Sequence, residues 1–154
     1  MASTDTTFFF AAPEDIGTSE LVLRDEEYHH AARVLRLRPG DELQAVDGLG
    51  GWYRITLGER SGAGATCRIL GRKLGVGESA AYLHLAVAAL KSRSRFDLIL
   101  EKATELGVSR ITVLNSSRSE RARVDSGRAA RVMRAAMKQC RRSRIPVLEG
   151  PLGF

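Results

Sequence analysis

The sequence has few of the residues that mark secreted, metal-binding or membrane proteins. Only two cysteines occur, Cys67 and Cys140, and they lie too far apart to match a metal-ligand spacing. No apolar run approaches the roughly 20 residues that cross a bilayer. A secretory signal has a basic residue ahead of its apolar segment, and the N-terminal MASTDTTFFFAAP has none. These absences predict a cytoplasmic protein with reduced thiols, no membrane partner and no bound metal.

Patterns for several common chemistries are also missing. The glycine-rich segment at 47–51 does not open a helix after a strand, which argues against a nucleotide-dependent enzyme. The histidines show no metal-ligand geometry, and no serine or cysteine matches a histidine as a nucleophile would. The carboxylates Asp97, Glu101 and Glu105 recur at helical spacing beside Lys102, a pattern typical of a solvated helix face. The residues alone therefore identify no catalytic group.

The positive charge is confined to the end of the chain. The net charge is +6, yet residues 1–114 carry 14 Lys/Arg against 15 Asp/Glu, and residues 115–154 carry 10 against 3. A surplus gathered in one segment is the electrostatic footprint of a polyanion partner. A solubilising surface is the alternative interpretation.

The first 72 residues read as a small β-barrel or twisted sheet that carries one helix. Glycine-rich turns separate the strand-like segments, and the Asp-Gly pair in DGLGG predicts a hairpin at 47–51. Residues 25–36 predict a helix with Tyr28, Ala31, Ala32 and Leu35 on one face, ended by RPGD. The predicted strands lie at 41–48, 51–58 and 65–73. Residues 73–79, rich in glycine and without periodicity, predict an interdomain linker.

Residues 80–154 predict a different architecture, a parallel sheet covered by helices, so the fold class is α+β overall. A strand at 82–90, a helix from RFDLILEKATEL and a strand at 109–114 form a βαβ unit. Ser94 and Asp97 match a capping box that starts this helix, and Gly107 fits its C-terminal cap. A second helix at about 126–142 and a strand at 145–148 follow.

Arginines gather where this sheet would meet a ligand. Arg93 and Arg95 stand between a strand and a helix start, where they oppose the helix dipole unless an anion bridges them and the free amides. Harmless extension into solvent is the alternative. On the second helix, the cationic residues lie on one face and the apolar residues lie on the opposite face. Three further arginines precede this helix in the sequence. The predicted phosphate-binding stripe contains Arg128, Arg131, Arg134, Lys138, Arg141 and Arg142, extended by Arg118, Arg121 and Arg123.

Four segments resemble a known family. HAARVLRLRPGDEL with DGLGGWYRITL, then RFDLILEKATELGVSRI and KQCRRSRIP, resemble in order the RsmE family of 16S rRNA (uridine-N3) methyltransferases. The resemblance implies a PUA-like RNA-binding domain, a SPOUT-type methyltransferase domain, S-adenosylmethionine as cofactor, small-subunit rRNA as partner and a homodimer in the full-length form. It assigns site positions to His30, Arg33 and Arg36 in the first domain, and to Arg95, Asp97, Arg118, Gln139, Arg142 and Arg144 in the second.

Taken together, the charge pattern and the resemblance predict one RNA-binding set. Its members are His30, Arg33, Arg36, Arg93, Arg95, Arg118, Arg131, Arg134, Lys138, Arg142 and Arg144.

The sequence also departs from the family pattern. The usual Lys-Gly-Asp-Arg loop is Ser92–Arg95 here, the usual Ser-Glu-Arg is Ser116–Arg118, and the usual Glu-Gln is Lys138–Gln139. The Gly-Pro-Glu-Gly-Gly stretch that holds the cofactor in the family is not found before Phe154. We therefore expect this chain to be the front portion of a methyltransferase, to bind no S-adenosylmethionine itself and to be inactive alone. A non-catalytic RNA- or ribosome-binding protein is the alternative.

Overall fold

The computed structural model describes residues 7–62, 64–88, 90–115 and 124–153. The chain divides into two units, one ending at Val76 and the other beginning at Gly77. Strand β6 of the first unit runs through Leu74, so the predicted linker at 73–79 begins as strand, and Glu78 already belongs to the second unit.

The first unit is a curled six-stranded sheet. The strands lie in the order β1-β3-β4-β6-β2, with β5 paired to β6, and every pairing is antiparallel except β1 with β3. Side chains alternate across the pleat, so that Leu43, Ile55 and Cys67 pack inside while their neighbours point outward. The strands are β1 (Phe8–Phe10), β2 (Glu20–Leu23), β3 (Glu42–Val46), β4 (Gly51–Thr56), β5 (Arg60–Ser61) and β6 (Gly64–Leu74).

The β3–β4 hairpin at 47–51 is confirmed. Gly48 and Gly50 take positive φ angles of 76° and 113°, which residues with a Cβ adopt at a cost. The Asp47 carboxylate accepts hydrogen bonds from the amides of Leu49 and Gly51 at 2.7 and 2.8 Å and thereby closes the turn.

The first helix is confirmed in position but differs in form. It is α-helical over α1 (Asp25–His29) and continues as a wider π-helical turn over His30–Val34. The wider turn takes Leu35 off the apolar face, so Leu35 is 37% exposed and Leu37 packs against the core instead. The prediction that Leu35 shares one helix face with Tyr28, Ala31 and Ala32 is therefore wrong.

The second unit is a three-stranded parallel sheet with two helices, as predicted. The strand order is β7-β8-β9, and Leu100, Ile111 and Met133 belong to the core between helices and sheet. Gly107, with φ 86°, follows α2 as predicted. The elements are β7 (His84–Ala88), α2 (Arg93–Glu105), β8 (Arg110–Asn115), α3 (Ser126–Gln139) and β9 (Val147–Gly153).

Two helix ends differ from the prediction. The N-cap of α2 is Ser92 and not Ser94, because the Ser92 hydroxyl accepts the hydrogen bond from the Arg95 amide. Helix α3 ends at Gln139 and not near residue 142, because Arg141 takes a φ of 60° that a helix cannot continue through. In the described part of the chain, no helix has the length and apolar character to cross a membrane.

Candidate nucleic-acid interface

The helices of the second unit begin at the edge of the sheet where ligands of parallel α/β folds bind. Strands β7, β8 and β9 are parallel, so their carboxyl ends lie at one edge. Helices α2 and α3 each return from that edge and pack against each other. Both helices therefore direct free backbone amides toward the same side of this unit.

Side chains connect the two helix starts. The Arg128 guanidinium donates through Nε to Asp97 Oδ2 at 2.8 Å, which ties α3 to α2. Asp125 caps α3 by accepting the Arg128 amide at 3.0 Å. That hydrogen bond lowers the pKa of Asp125, and the positive charges of Arg131 and Arg93 lower it further. Arg93 and Arg131 belong to different helices, and the positive charge of both favours the ionised carboxylate of Asp125 at the start of α3.

This edge has an excess of cations over carboxylates available to a ligand. Arg93, Arg95 and Arg131 are exposed, whereas Asp97 is engaged by Arg128 and Asp125 by the backbone of α3. A phosphate placed here would meet guanidinium groups and helix N-termini together.

The stripe predicted on α3 is only partly available. Its apolar arc is confirmed, since Ala129, Met133, Ala136 and Met137 are buried. Arg134 and Lys138 are half-buried and already take part in other interactions, and Arg128 is held by Asp97. Arg131, like Arg128, is exposed on α3, and the described structure gives Arg131 no ion pair.

Arg142 does not belong to the surface. It is only 3% exposed, and its NH1 group donates to the carbonyls of Thr104 at 2.6 Å and Val108 at 3.2 Å. Its Nε and NH2 groups both donate to Glu78 Oε2, at 3.1 and 2.7 Å. The helical arc predicted for Arg142 is wrong because α3 has ended before it and the chain has turned at Arg141. Arg142 therefore holds the unit together instead of binding RNA.

The remaining predicted positions fall into three groups. Arg144 is exposed, and its amide donates to Glu78 Oε1 at 2.8 Å. In the first unit, all three predicted positions are exposed, namely His30, Arg33 and Arg36. The His30 ring packs edge-on against the Phe9 ring, with 5.9 Å between the ring centroids. Arg118, Arg121 and Arg123 lie outside the described residues.

Sequence reasoning missed the groups that organise the edge. The Asp125 cap had a readable signal, an aspartate three residues ahead of Arg128 at a helix start. The Arg128–Asp97 pair had none, because 31 residues separate its partners along the chain. Over the residues with described positions, no cluster of His, Cys, Asp or Glu is suited to a metal.

Comparison with known proteins decides the family. A family model for an RNA methyltransferase domain matches residues 78–154, and a model for an RNA methyltransferase PUA domain matches residues 23–70. The chain belongs to the RNA methyltransferase family. The predicted resemblance to RsmE is confirmed, and so is the combination of a PUA-like domain with a methyltransferase-type α/β domain.

The relatives are longer than this chain. Ribosomal RNA small subunit methyltransferase E of Mycobacterium tuberculosis is 34% identical over 151 residues, which cover 94% of this chain and 56% of that protein. The Synechocystis protein of the same name is 31% identical over 145 residues, covering 93% of this chain and 47% of its own length. The chain thus spans about half the length of these curated relatives.

Solved structures give the same result. A probable rRNA-methyltransferase from Porphyromonas gingivalis superposes with a TM-score of 0.83 at 27% identity, over 96% of this chain and 60% of its own. Ribosomal RNA small subunit methyltransferase E from Neisseria gonorrhoeae was solved bound to S-adenosyl methionine. It superposes with a TM-score of 0.77 at 26% identity, and the match covers 96% of this chain and 62% of the Neisseria chain.

Proposed function

We propose that this chain serves the S-adenosylmethionine-dependent methylation of N3 of a uridine in small-subunit (16S) ribosomal RNA. The family membership and the names of its relatives support the reaction class and the RNA. The observation that carries the proposal is the position of the exposed Arg93, Arg95 and Arg131 on two helices that begin at the carboxyl edge of a methyltransferase-type sheet and are tied together by the Arg128–Asp97 hydrogen bond.

In this proposal the chain contributes RNA positioning. Arg93 and Arg131 hold one phosphodiester from two helices, and Arg95 extends the contact along the backbone. Methyl transfer to a ring nitrogen depends on alignment of the nitrogen with the donor carbon, so a fixed phosphate lowers the barrier by orientation.

The described residues do not fit S-adenosylmethionine as its holder. The groups at the edge are chiefly cationic, whereas the cofactor carries a positive sulfonium. One acceptor, Asn115 Oδ1 at the end of β8, is buried without a hydrogen-bond partner in the described structure. A single acceptor does not form a cradle, so we derive no catalytic step through the cofactor and expect no methyl transfer by the 154-residue chain alone.

We further propose a cytoplasmic location and a homodimer for the full-length protein. Ribosomal RNA as substrate supports the location, and the family resemblance supports the dimer. Sedimentation of the full-length protein tests the dimer directly.

RNA binding by the chain tests the positioning role. Replacing Arg93 and Arg131 together by glutamine should weaken binding of a 16S rRNA fragment by about tenfold or more. It should also make the dependence of the logarithm of the binding constant on the logarithm of salt concentration less steep, by about 0.7 for each lost contact to a single strand. Arg60→Gln, which removes an exposed cation from the first unit, is the matched control and should leave both unchanged. Unaltered affinity in the double variant at low salt would refute the role.

Methyl transfer tests the reaction. The full-length protein should convert a uridine of undermodified small subunits to N3-methyluridine, as detected by nucleoside mass spectrometry. A product methylated at another atom would refute the proposed chemistry.

A second candidate is a non-catalytic RNA- or ribosome-binding protein. It is favoured by the exposed Arg93, Arg95 and Arg131 at the described edge, which suit an anion, beside a single unpartnered acceptor, Asn115 Oδ1, which does not form a cofactor cradle. Tight rRNA binding by the full-length protein without any methyl transfer would select this candidate.

A further inference from the structure

The outward face of the first unit carries an aromatic ring among cations. Side chains of β4 alternate, so Trp52 and Arg54 point away from the core that Tyr53 and Ile55 enter. In the cross-strand register, Trp52 lies opposite Lys73 and Arg54 lies opposite Gly71. This cluster, Trp52, Arg54, Gly71 and Lys73, is called the Trp52 face below.

A β-bulge produces this arrangement. The β4–β6 register shifts between Arg54 and Ile55, so that Leu70 is the extra residue on β6. Without the bulge, Arg72 would lie opposite Trp52. With it, Arg72 reaches over the Tyr53 ring, 5.5 Å from its centroid, and Lys73 turns outward beside Trp52.

The indole is fixed and flanked by positive charge. Its Nε1 donates to Gln44 Oε1 at 2.9 Å, and the Lys73 ammonium lies over one face of the ring, 5.2 Å from its centroid, which leaves the other face for a ligand. Next to it, Gly71 leaves open space, since an added Cβ would meet nothing within 4 Å. A planar ligand therefore has room beside a ring whose orientation is set in advance.

The charge of the Trp52 face is not neutralised by its surroundings. Arg54 and Lys73 are exposed, and neither has an ion pair with any carboxylate that the structure describes. The outward acids Glu42 and Glu20 lie toward the other end of the strands, opposite Thr56 and Arg68. An acidic residue opposite Arg54 would stabilise the strand pair more than Gly71 does, so cross-strand pairing alone does not explain the presence of Arg54.

We propose that the Trp52 face is a second RNA contact, which binds a single-stranded segment by stacking one base beside Trp52 and holding adjacent phosphates on Arg54 and Lys73. The inference rests on the proposed function, in which the partner is RNA. A single strand is required because the bases of an A-form duplex are stacked on each other and do not reach an aromatic side chain.

Trp52 is the only tryptophan, so its emission reports this site directly in the intact chain. A short mixed-sequence single-stranded oligoribonucleotide should quench the emission, and the same sequence as a duplex should not. With the labelled oligonucleotide followed by anisotropy, Trp52→Leu should weaken binding about tenfold, and Trp52→Phe should restore most of the affinity because it keeps an aromatic face.

The cations have their own test. Arg54→Gln and Lys73→Gln should each lower the salt slope of single-strand binding by about 0.7. Arg38→Gln, which removes an exposed cation elsewhere in the same unit, is the matched control and should leave the slope unchanged. Circular dichroism of each variant verifies that the unit remains folded.

Three results would overturn the inference, and they separate it from the proposed function. In the first result, RNA binding depends on Arg93 and Arg131, but RNA does not quench Trp52 and Trp52→Leu does not weaken binding. This result refutes the Trp52 face and leaves the proposed function standing. Absence of any RNA binding refutes both. A Trp52 emission change that follows protein concentration without RNA would instead identify a second copy of the chain as the occupant.

Discussion

Each unit of this protein is organised by one carboxylate that accepts several hydrogen bonds, but the two carboxylates act over very different distances along the chain. In the first unit, Asp47 binds the amides of Leu49 and Gly51 and the Tyr53 hydroxyl, all within six residues. In the second unit, Glu78 binds Arg142 and the amides of Ser143 and Arg144, 64 to 66 residues away.

The difference separates local from long-range organisation. The Asp47 cluster forms as soon as the hairpin forms, and its environment raises the pKa of Tyr53, chiefly through burial and then through the charge of Asp47. The Glu78 cluster joins the start of the second unit to the segment after α3, and Arg142 carries it on to the carbonyls at the end of α2. Loss of the second cluster should therefore disturb more structure than loss of the first.

The largest expected effect follows from breaking the Glu78–Arg142 pair. Arg142→Met removes the buried guanidinium that donates to Glu78 Oε2 and to the carbonyls of Thr104 and Val108, which should destabilise the second unit by about 3–5 kcal/mol. Denaturant unfolding followed by circular dichroism should show the loss. Trp52 emission, which reports the first unit, should shift much less.

Arg144→Met is the control for this variant, because it removes a neighbouring arginine whose side chain is exposed. Its midpoint of unfolding should stay close to that of the parent chain. Equal shifts of circular dichroism and Trp52 emission in Arg142→Met would contradict the view that the pair stabilises the second unit alone.

These contacts also show what the sequence could predict. Elements with a local signal, such as the Asp-Gly hairpin and the apolar arc of α3, were predicted correctly because neighbouring residues decide them. Arg142 was placed on the cationic face because helical periodicity was continued beyond Gln139, and its true partners lie on segments distant along the chain. The proposed phosphate contacts Arg93 and Arg131 were identifiable as residues, but their placement at one edge of the sheet depends on the packing of α2 against α3.

A smaller effect is expected from disturbing the Asp47 cluster. In Gly51→Ala the added Cβ would overlap Asp47 Oδ2 and would lie 2.6 Å from the Tyr53 hydroxyl. The carboxylate must move from its amide donors, which should destabilise the first unit by about 1–3 kcal/mol. Trp52 emission during urea unfolding measures this unit directly.

Gly71→Ala provides the matched comparison for stability, since it adds the same methyl group to β6 where nothing lies within 4 Å. It should leave the midpoint almost unchanged. If the two alanine variants unfolded at the same urea concentration, the Asp47 cluster would not be a determinant of the hairpin.

The smallest expected effect decides between two serines at the start of α2. Ser92 accepts the Arg95 amide at 3.4 Å, a long hydrogen bond, so Ser92→Ala should cost the second unit about 0.5–1 kcal/mol. Ser94 lies inside the first turn, where alanine has the higher helix propensity, so Ser94→Ala should be neutral or slightly stabilising. Urea midpoints from circular dichroism compare the two variants. A larger loss in Ser94→Ala would restore the capping box that the sequence predicted, and would move the start of the helix, together with Arg93, out of the position assigned to the phosphate contact.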